Sequence, residues 1–266
     1  MRRSASVASM SAAAVAVVAL LVAAFVVPAG AAKTATKPSG TITVSAAASL
    51  TEAFTQMGTD FQKANPGTTV TFNFGPSSGL VTQIQGGAPA DVFASADGAN
   101  MIKLVNGGQV TAEPTVFAMN ELVIVTKPGN PTKIKGLADL AKVDVLSLCA
   151  DTVPCGKYAQ QAFTQSGIAI DQSKVTKGAD VKATLAAVTT GDADAAVVYA
   201  SDAKAAGNAV TTVRIPAWLN IYAVYPIAPL ASTGNKPLAK AWVDYTVSPA
   251  GQKTLRTFGF LAPPGV

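Results

Sequence analysis

The sequence predicts an α/β protein, built on a mainly parallel sheet with helices on both faces. Three observations carry that expectation. Short β-branched or apolar runs alternate with stretches of 3.6-residue periodicity. Each pair is punctuated by Gly, Pro or Ser. The alternation then starts afresh after the dense break Lys127-Pro128-Gly129-Asn130-Pro131, so two α/β units follow one another along the chain. In sheets of this kind ligands sit beyond the carboxyl ends of the strands.

The chain opens with positive charge at Met1-Arg2-Arg3, an unbroken apolar run from Ala12 to Val27, and small residues at Ala29-Gly30-Ala31. This is the pattern of a secretory signal peptide over 1–31, cut after Ala31. An uncleaved membrane anchor is the alternative, although the run falls short of the ~18 apolar residues of a spanning helix. Arg2-Arg3 hints at twin-arginine export, but the residues after the pair fit that signal poorly. Residues 32–39, rich in Lys, Thr and Ala, are expected to form a flexible leader.

From Ile42 a strand turns abruptly into a helix, with Ser49 at the switch and Glu52 three residues on. That spacing fits a capping box. On this stretch alone the cap is the favoured reading; the other is an anion site, because a helix start offers free N–H groups and a positive dipole end. The arrangement recurs where the strand Val70 to Phe74 meets Gly75-Pro76-Ser77-Ser78-Gly79 and a second helix. Gly86-Gly87-Ala88-Pro89 ends that helix, 90–95 makes a short strand, and a third helix is expected near Asp97 to Asn106. Asn120 to Thr126 is a strong β-run.

The second unit is expected to hold a helix near Leu137 to Ala141, a strand over 143–148 and a helix from about Cys155 to Gln165. Asp180 can cap a helix over 181–190, and Ala195 to Tyr199 is a strand leading to Ser201-Asp202 and another short helix. Two β-runs, 210–215 and 221–228, precede helical stretches over 236–247 and 249–258.

Of 266 residues, 49% are hydrophobic and 13% charged, which is too apolar for disorder. Loss of Arg2 and Arg3 with the signal would leave 18 basic residues against 15 acidic ones, a net charge of +3. No basic cluster is interleaved with aromatics, so nucleic acid is not an expected partner. The chain has no histidine, which removes the usual general base and the commonest zinc ligand. No Ser-x-x-Lys stands near Ser49 or Ser77, and the Gly75 to Gly79 loop lacks the lysine of a phosphate-binding loop. Enzymatic function, cation ligation and nucleotide binding are therefore not expected. Cys149 and Cys155 are the only cysteines and lie six apart. In an exported protein they read as a small-loop disulfide, free thiols being the alternative. Neither lies beside the cleavage site, so the mature protein is not expected to carry a lipid anchor.

The segments AAASLTEAF, FGPSSGLVTQI, GAPADVFASAD and VVYASDA resemble, in this order, the periplasmic molybdate-binding proteins of ABC transporters. The resemblance runs from about Gly40 to the C-terminus. It implies a type II periplasmic-binding-protein fold, two doubly wound α/β lobes joined by two hinge strands. Residues 40–121 with 226–266 would form the first lobe and 122–225 the second. It further implies a monomeric carrier in the periplasm or other extracytoplasmic space that needs no cofactor. Such a carrier captures molybdate or tungstate and hands it to an ABC transporter permease. Carried over residue by residue, the ligand set is Ser49 and Ser77 through their hydroxyls, Cys155 and Val181 through their backbone N–H groups, and Tyr199 through its phenol. Sulfate or another tetrahedral oxyanion is the alternative cargo; an exported enzyme or an envelope interaction module is the alternative class.

Overall fold

The computed structural model describes residues 38–265. The expected signal peptide, and the expected leader up to residue 37, lie outside the described residues. In chain order the first elements are β1 (Gly40–Ala47), α1 (Thr51–Ala64), β2 (Thr68–Gly75), α2 (Ser77–Gln85), β3 (Val92–Ala94), α3 (Gly98–Asn106) and β4 (Thr115–Thr126). There follow β5 (Leu146–Cys149), α4 (Pro154–Gln165), β6 (Val175–Gly178), α5 (Val181–Thr189), β7 (Ala195–Tyr199) and α6 (Ala200–Ala206). The chain closes with β8 (Thr211–Arg214), β9 (Tyr222–Pro229), α7 (Lys236–Val247) and α8 (Pro249–Thr257).

β1 runs parallel between β2 and β3. Its register pairs Gly40 with Thr68 and Ala47 with Gly75, so the two strands end level. Ser49 and Ser77, which follow those ends, are thereby brought out side by side. β3 pairs antiparallel with β9, and β9 pairs antiparallel with the first part of β4, from Thr115 to Glu121. At Leu122 β4 changes partners and lies antiparallel to β7 on one side and β8 on the other. β7 and β6 then flank β5 in parallel. The strand order is β2-β1-β3-β9-β4-β7-β5-β6. The chain therefore passes between two halves of the sheet along β4, and returns between β8 and β9.

The sheet is mixed, not mainly parallel. Each half keeps its parallel strands, but β4 and β9 link the halves and run against their neighbours, because a strand that leaves and one that returns point in opposite senses. Two local expectations also change. The stretch Leu137–Lys142 is a 3-10 helix. It is too short to reward α-helical nucleation, and the Asp139 carboxylate takes the Lys135 N–H just ahead of it. β6 was not foreseen, since Val175-Thr176-Lys177-Gly178 is a half-exposed edge strand with no apolar run.

The buried face of α1 follows the helical period through Ala53, Phe54, Met57, Gly58 and Phe61. Phe54 and Phe61 meet Trp242 of α7 edge-on, with ring centroids 5.4 and 5.5 Å apart. Such pairs contribute about 0.5–1.5 kcal/mol each beyond their burial. A Cβ on Gly58 would sit 2.8 Å from the Phe72 ring, so any larger residue there would have to push that ring aside. None of the described helices is long and apolar enough to cross a membrane.

Candidate functional site

The carboxyl ends of six strands, three from each half of the sheet, converge on one small cavity. Its empty space, counted with the open solvent at its mouth, is about 230 Å³. Ser49, Ser77, Cys155, Val181 and Tyr199 all line it. Ser49 follows β1 and Ser77 follows β2; the Cys155 and Val181 segments follow β5 and β6; Tyr199 ends β7.

Ser49 lies in a 3-10 turn, Ala48–Leu50, between β1 and α1. The expected capping box is not formed. The residue capping α1 is Leu50, with no side-chain hydrogen bond. The extra 3-10 turn carries Ser49 away from the helix start, and its buried Oγ lies 2.8 Å from the Tyr225 hydroxyl instead. Glu52 turns toward Lys182 of α5. Ser77 is the first residue of α2 and does not cap it either. Its Oγ accepts the Ala96 N–H at 3.0 Å, which ties the start of α2 to the end of β3.

In the second half, Pro154 is the first residue of α4, where its missing N–H costs nothing. The Cys155 amide that follows has no intrahelical acceptor. A disulfide joins Cys155 to Cys149 at the end of β5. The Cβ that any other residue would add at Gly156 would collide with the Ala150 carbonyl, so the loop packs directly under the helix start. Asp180 caps α5 as expected, its Oδ1 accepting the Ala183 N–H at 2.9 Å. That cap leaves the Val181 amide at the helix end nearest the cavity.

Tyr199 is fully buried, and its hydroxyl has no hydrogen-bond partner among the described residues. An unpaired buried hydroxyl is costly, about 1–3 kcal/mol, unless something occupies the space it faces. Burial pushes the Tyr199 and Tyr225 phenols upward; the neighbouring Tyr225 adds to the rise at Tyr199, while the hydrogen bond with Ser49 opposes it at Tyr225. Both therefore stay protonated and able to donate at neutral pH.

The cavity thus presents hydroxyls and helix-start amides, all neutral donors, with no lysine or arginine in its lining. The donor set suits a small anion with several oxygens, because helix N-termini favour negative charge without the desolvation cost of a buried cation. Asp180 is the one carboxylate in the lining. Asp151 pairs with Lys177 at 2.6 Å and stands outside the lining.

Several polar residues around the site were not singled out from sequence. Asn120 of β4 donates to Ser201 at 2.8 Å and reaches the Tyr225 hydroxyl at 3.5 Å. Lys182 contacts Glu52 and the buried Asp202. Their local patterns are those of ordinary strand and helix residues; the only available signal was that Asp202 stands in the VVYASDA segment.

A family model described as bacterial extracellular solute-binding protein matches residues 42–261. The chain is 42% identical over 229 residues to the molybdate-binding protein ModA of Mycobacterium tuberculosis, covering 86% of this chain and 87% of that one. Among solved structures it is similar to the periplasmic molybdate-binding protein of Azotobacter vinelandii, at 22% identity and a TM-score of 0.73, covering 84% of this chain and 99% of that one. It is also similar to the sulfate-binding protein SubI of Mycobacterium tuberculosis, at 18% identity and a TM-score of 0.75, covering 85% and 88%. Both structural likenesses concern the fold.

Proposed function

This chain belongs to the family of bacterial extracellular solute-binding proteins, with a type II periplasmic-binding-protein fold, and from that premise we propose that it captures molybdate for an ABC transporter. The observation that carries the reading is the convergence of Ser49, Ser77, Cys155, Val181 and Tyr199 on one small cavity of neutral donors. Two serine hydroxyls from the first half and two helix-start amides from the second, with the Tyr199 phenol at the end of β7, can surround a tetrahedral dianion without a counter-cation. The relatives' names direct the choice within tetrahedral oxyanions toward molybdate. Tungstate, of the same charge and shape, is the second cargo.

The proposed lobes are 40–121 with 226–266 and 122–225, joined by β4 and β9. They close on the ion as a hinge does, and the closed monomer hands its cargo to a membrane permease from the extracytoplasmic side, without a lipid anchor.

Selectivity follows from the donors. Phosphate near neutral pH carries a proton that needs an acceptor, and an unmatched buried polar group costs about 1–3 kcal/mol. Sulfate carries no proton and is disfavoured only by its shorter bonds, which leave some donors stretched. A thermal-shift panel of the four ions on the purified protein tests the reading. A ligand at about 100 times its dissociation constant stabilises by ~2.7 kcal/mol. Molybdate and tungstate should give the largest shifts, sulfate a smaller one and phosphate none. A shift with sulfate alone would favour a sulfate carrier, and no shift with any ion would overturn the assignment.

A further inference from the structure

Glu52 and Lys182 meet across the two halves of the sheet, beside the cavity but outside its lining. Glu52 stands in the first turn of α1, three residues after Ser49; Lys182 is the second residue of α5, next to Val181. The Lys182 ammonium donates to both Glu52 oxygens, at 2.8 Å to Oε1 and 2.6 Å to Oε2. Its third contact is Asp202 of α6, with Oδ1 at 2.9 Å.

The three groups are not equivalent. Asp202 has no exposure to solvent, whereas the Glu52 side chain is 39% exposed. α5 and α6 both belong to the second half of the sheet, so Lys182–Asp202 is an anchor fixed within that half. Glu52 comes from the first half and is the detachable partner. An ammonium already held by Asp202 has lost much of its rotamer freedom, so gripping Glu52 costs less entropy than an isolated surface pair would. Because Glu52 stands three residues after Ser49 and Lys182 directly follows Val181, any separation of the halves that opens the cavity pulls this contact apart.

We propose that Lys182 is a clasp, whose contact with Glu52 holds the two halves shut over the oxyanion and so sets the residence time of a ligand it does not touch. This rests on the molybdate reading. It makes Glu52 and Lys182 positioning residues, while the five cavity residues recognise the ion.

Glu52→Gln and Glu52→Lys address the clasp while leaving the Lys182–Asp202 anchor in place. Release of radiolabelled molybdate into excess unlabelled ion should be about three- to tenfold faster in Glu52→Gln, and faster again in Glu52→Lys, where two ammonium groups oppose each other. Added sodium chloride should speed release from the unaltered protein, because a half-exposed pair is screened, and should speed it less in Glu52→Gln. A merely structural role would change neither the rate order nor the salt response. Equal release rates and equal salt dependence in all three proteins would overturn the clasp. If the unaltered protein retains no molybdate, the functional reading fails instead. Small-angle scattering of the ligand-free proteins then decides the clasp alone: Glu52→Lys should be the more extended, and identical profiles would overturn it.

Discussion

The Ser49 Oγ lies 2.8 Å from the hydroxyl of Tyr225, a residue 176 positions further along the chain. Tyr225 is on β9, and its oxygen also faces the Asn120 side-chain amide from β4 at 3.5 Å. The Asn120 NH2 group can only donate, so the phenol oxygen accepts from it, while in the contact with Ser49 either hydroxyl can supply the hydrogen. With the phenol as donor, the Ser49 hydrogen is free to point into the cavity, and Tyr225→Phe tests that arrangement.

Tyr225→Phe should therefore weaken molybdate binding although Tyr225 is outside the cavity lining. Loss of one neutral hydrogen bond is worth about 1 kcal/mol, or roughly fivefold in affinity. Calorimetric titration checks it, and an unchanged dissociation constant would mean that Ser49 orients itself.

Ser49→Ala and Ser77→Ala should each weaken binding by roughly ten- to a hundredfold, the worth of a hydrogen bond to a charged group. Their effects on the ligand-free protein should differ. Ser77 Oγ also satisfies the buried Ala96 N–H, so its loss should lower the melting temperature as well, by the equivalent of about 1–3 kcal/mol for an orphaned buried donor. Equal melting temperatures for Ser77→Ala and the parent would show that the Ala96 amide finds another partner.

The disulfide Cys149–Cys155 spans a short loop, so its effect on stability should be modest and its effect on the Cys155 amide larger. Thiol titration of unfolded, unreduced protein should find no reactive group. After reduction, affinity for molybdate should fall by a larger free energy than does the stability of the fold. The reverse ranking would assign the bond a purely stabilising part.

Burial of Asp202 pushes its carboxyl up from 3.8 to about 6, with Lys182 acting in the opposite sense. A folded-state value above the unfolded one means that the folded protein holds the proton more tightly. The stability this group contributes is then present below about pH 4 and is lost as pH rises through about 6. Relative to Asp202→Asn, the parent should lose on the order of 2 kcal/mol between about pH 4 and 7. Chemical unfolding of both proteins across that range is the test, and a difference that does not change with pH would show that Asp202 is ionised throughout.

Much of this protein was set by short-range pattern. The strand-to-helix alternation, the breaks at Gly86-Gly87 and Pro128-Gly129, and the Asp180 cap of α5 all follow from residues within a few positions of one another, where backbone propensity and local hydrogen bonding decide the outcome. Ser49 and Ser77 were marked by the recurring junction of strand, serine and helix, whereas Cys155, Val181 and Tyr199 came from the family resemblance alone, because a first-turn amide or a strand-end phenol looks locally like any core position. Other features needed the folded chain. Ser49 abandons Glu52 for Tyr225, and Glu52 takes Lys182, because the 3-10 turn after β1 and the approach of α5 put better partners within reach than the local ones. The mixed sheet, the edge strand β6 and the buried Asp202 likewise depend on which distant segments become neighbours. Sequence spacing determines what a residue can do next to its own helix or strand; only the packing of remote strands, which no local propensity encodes, decides which of those options is the more stable.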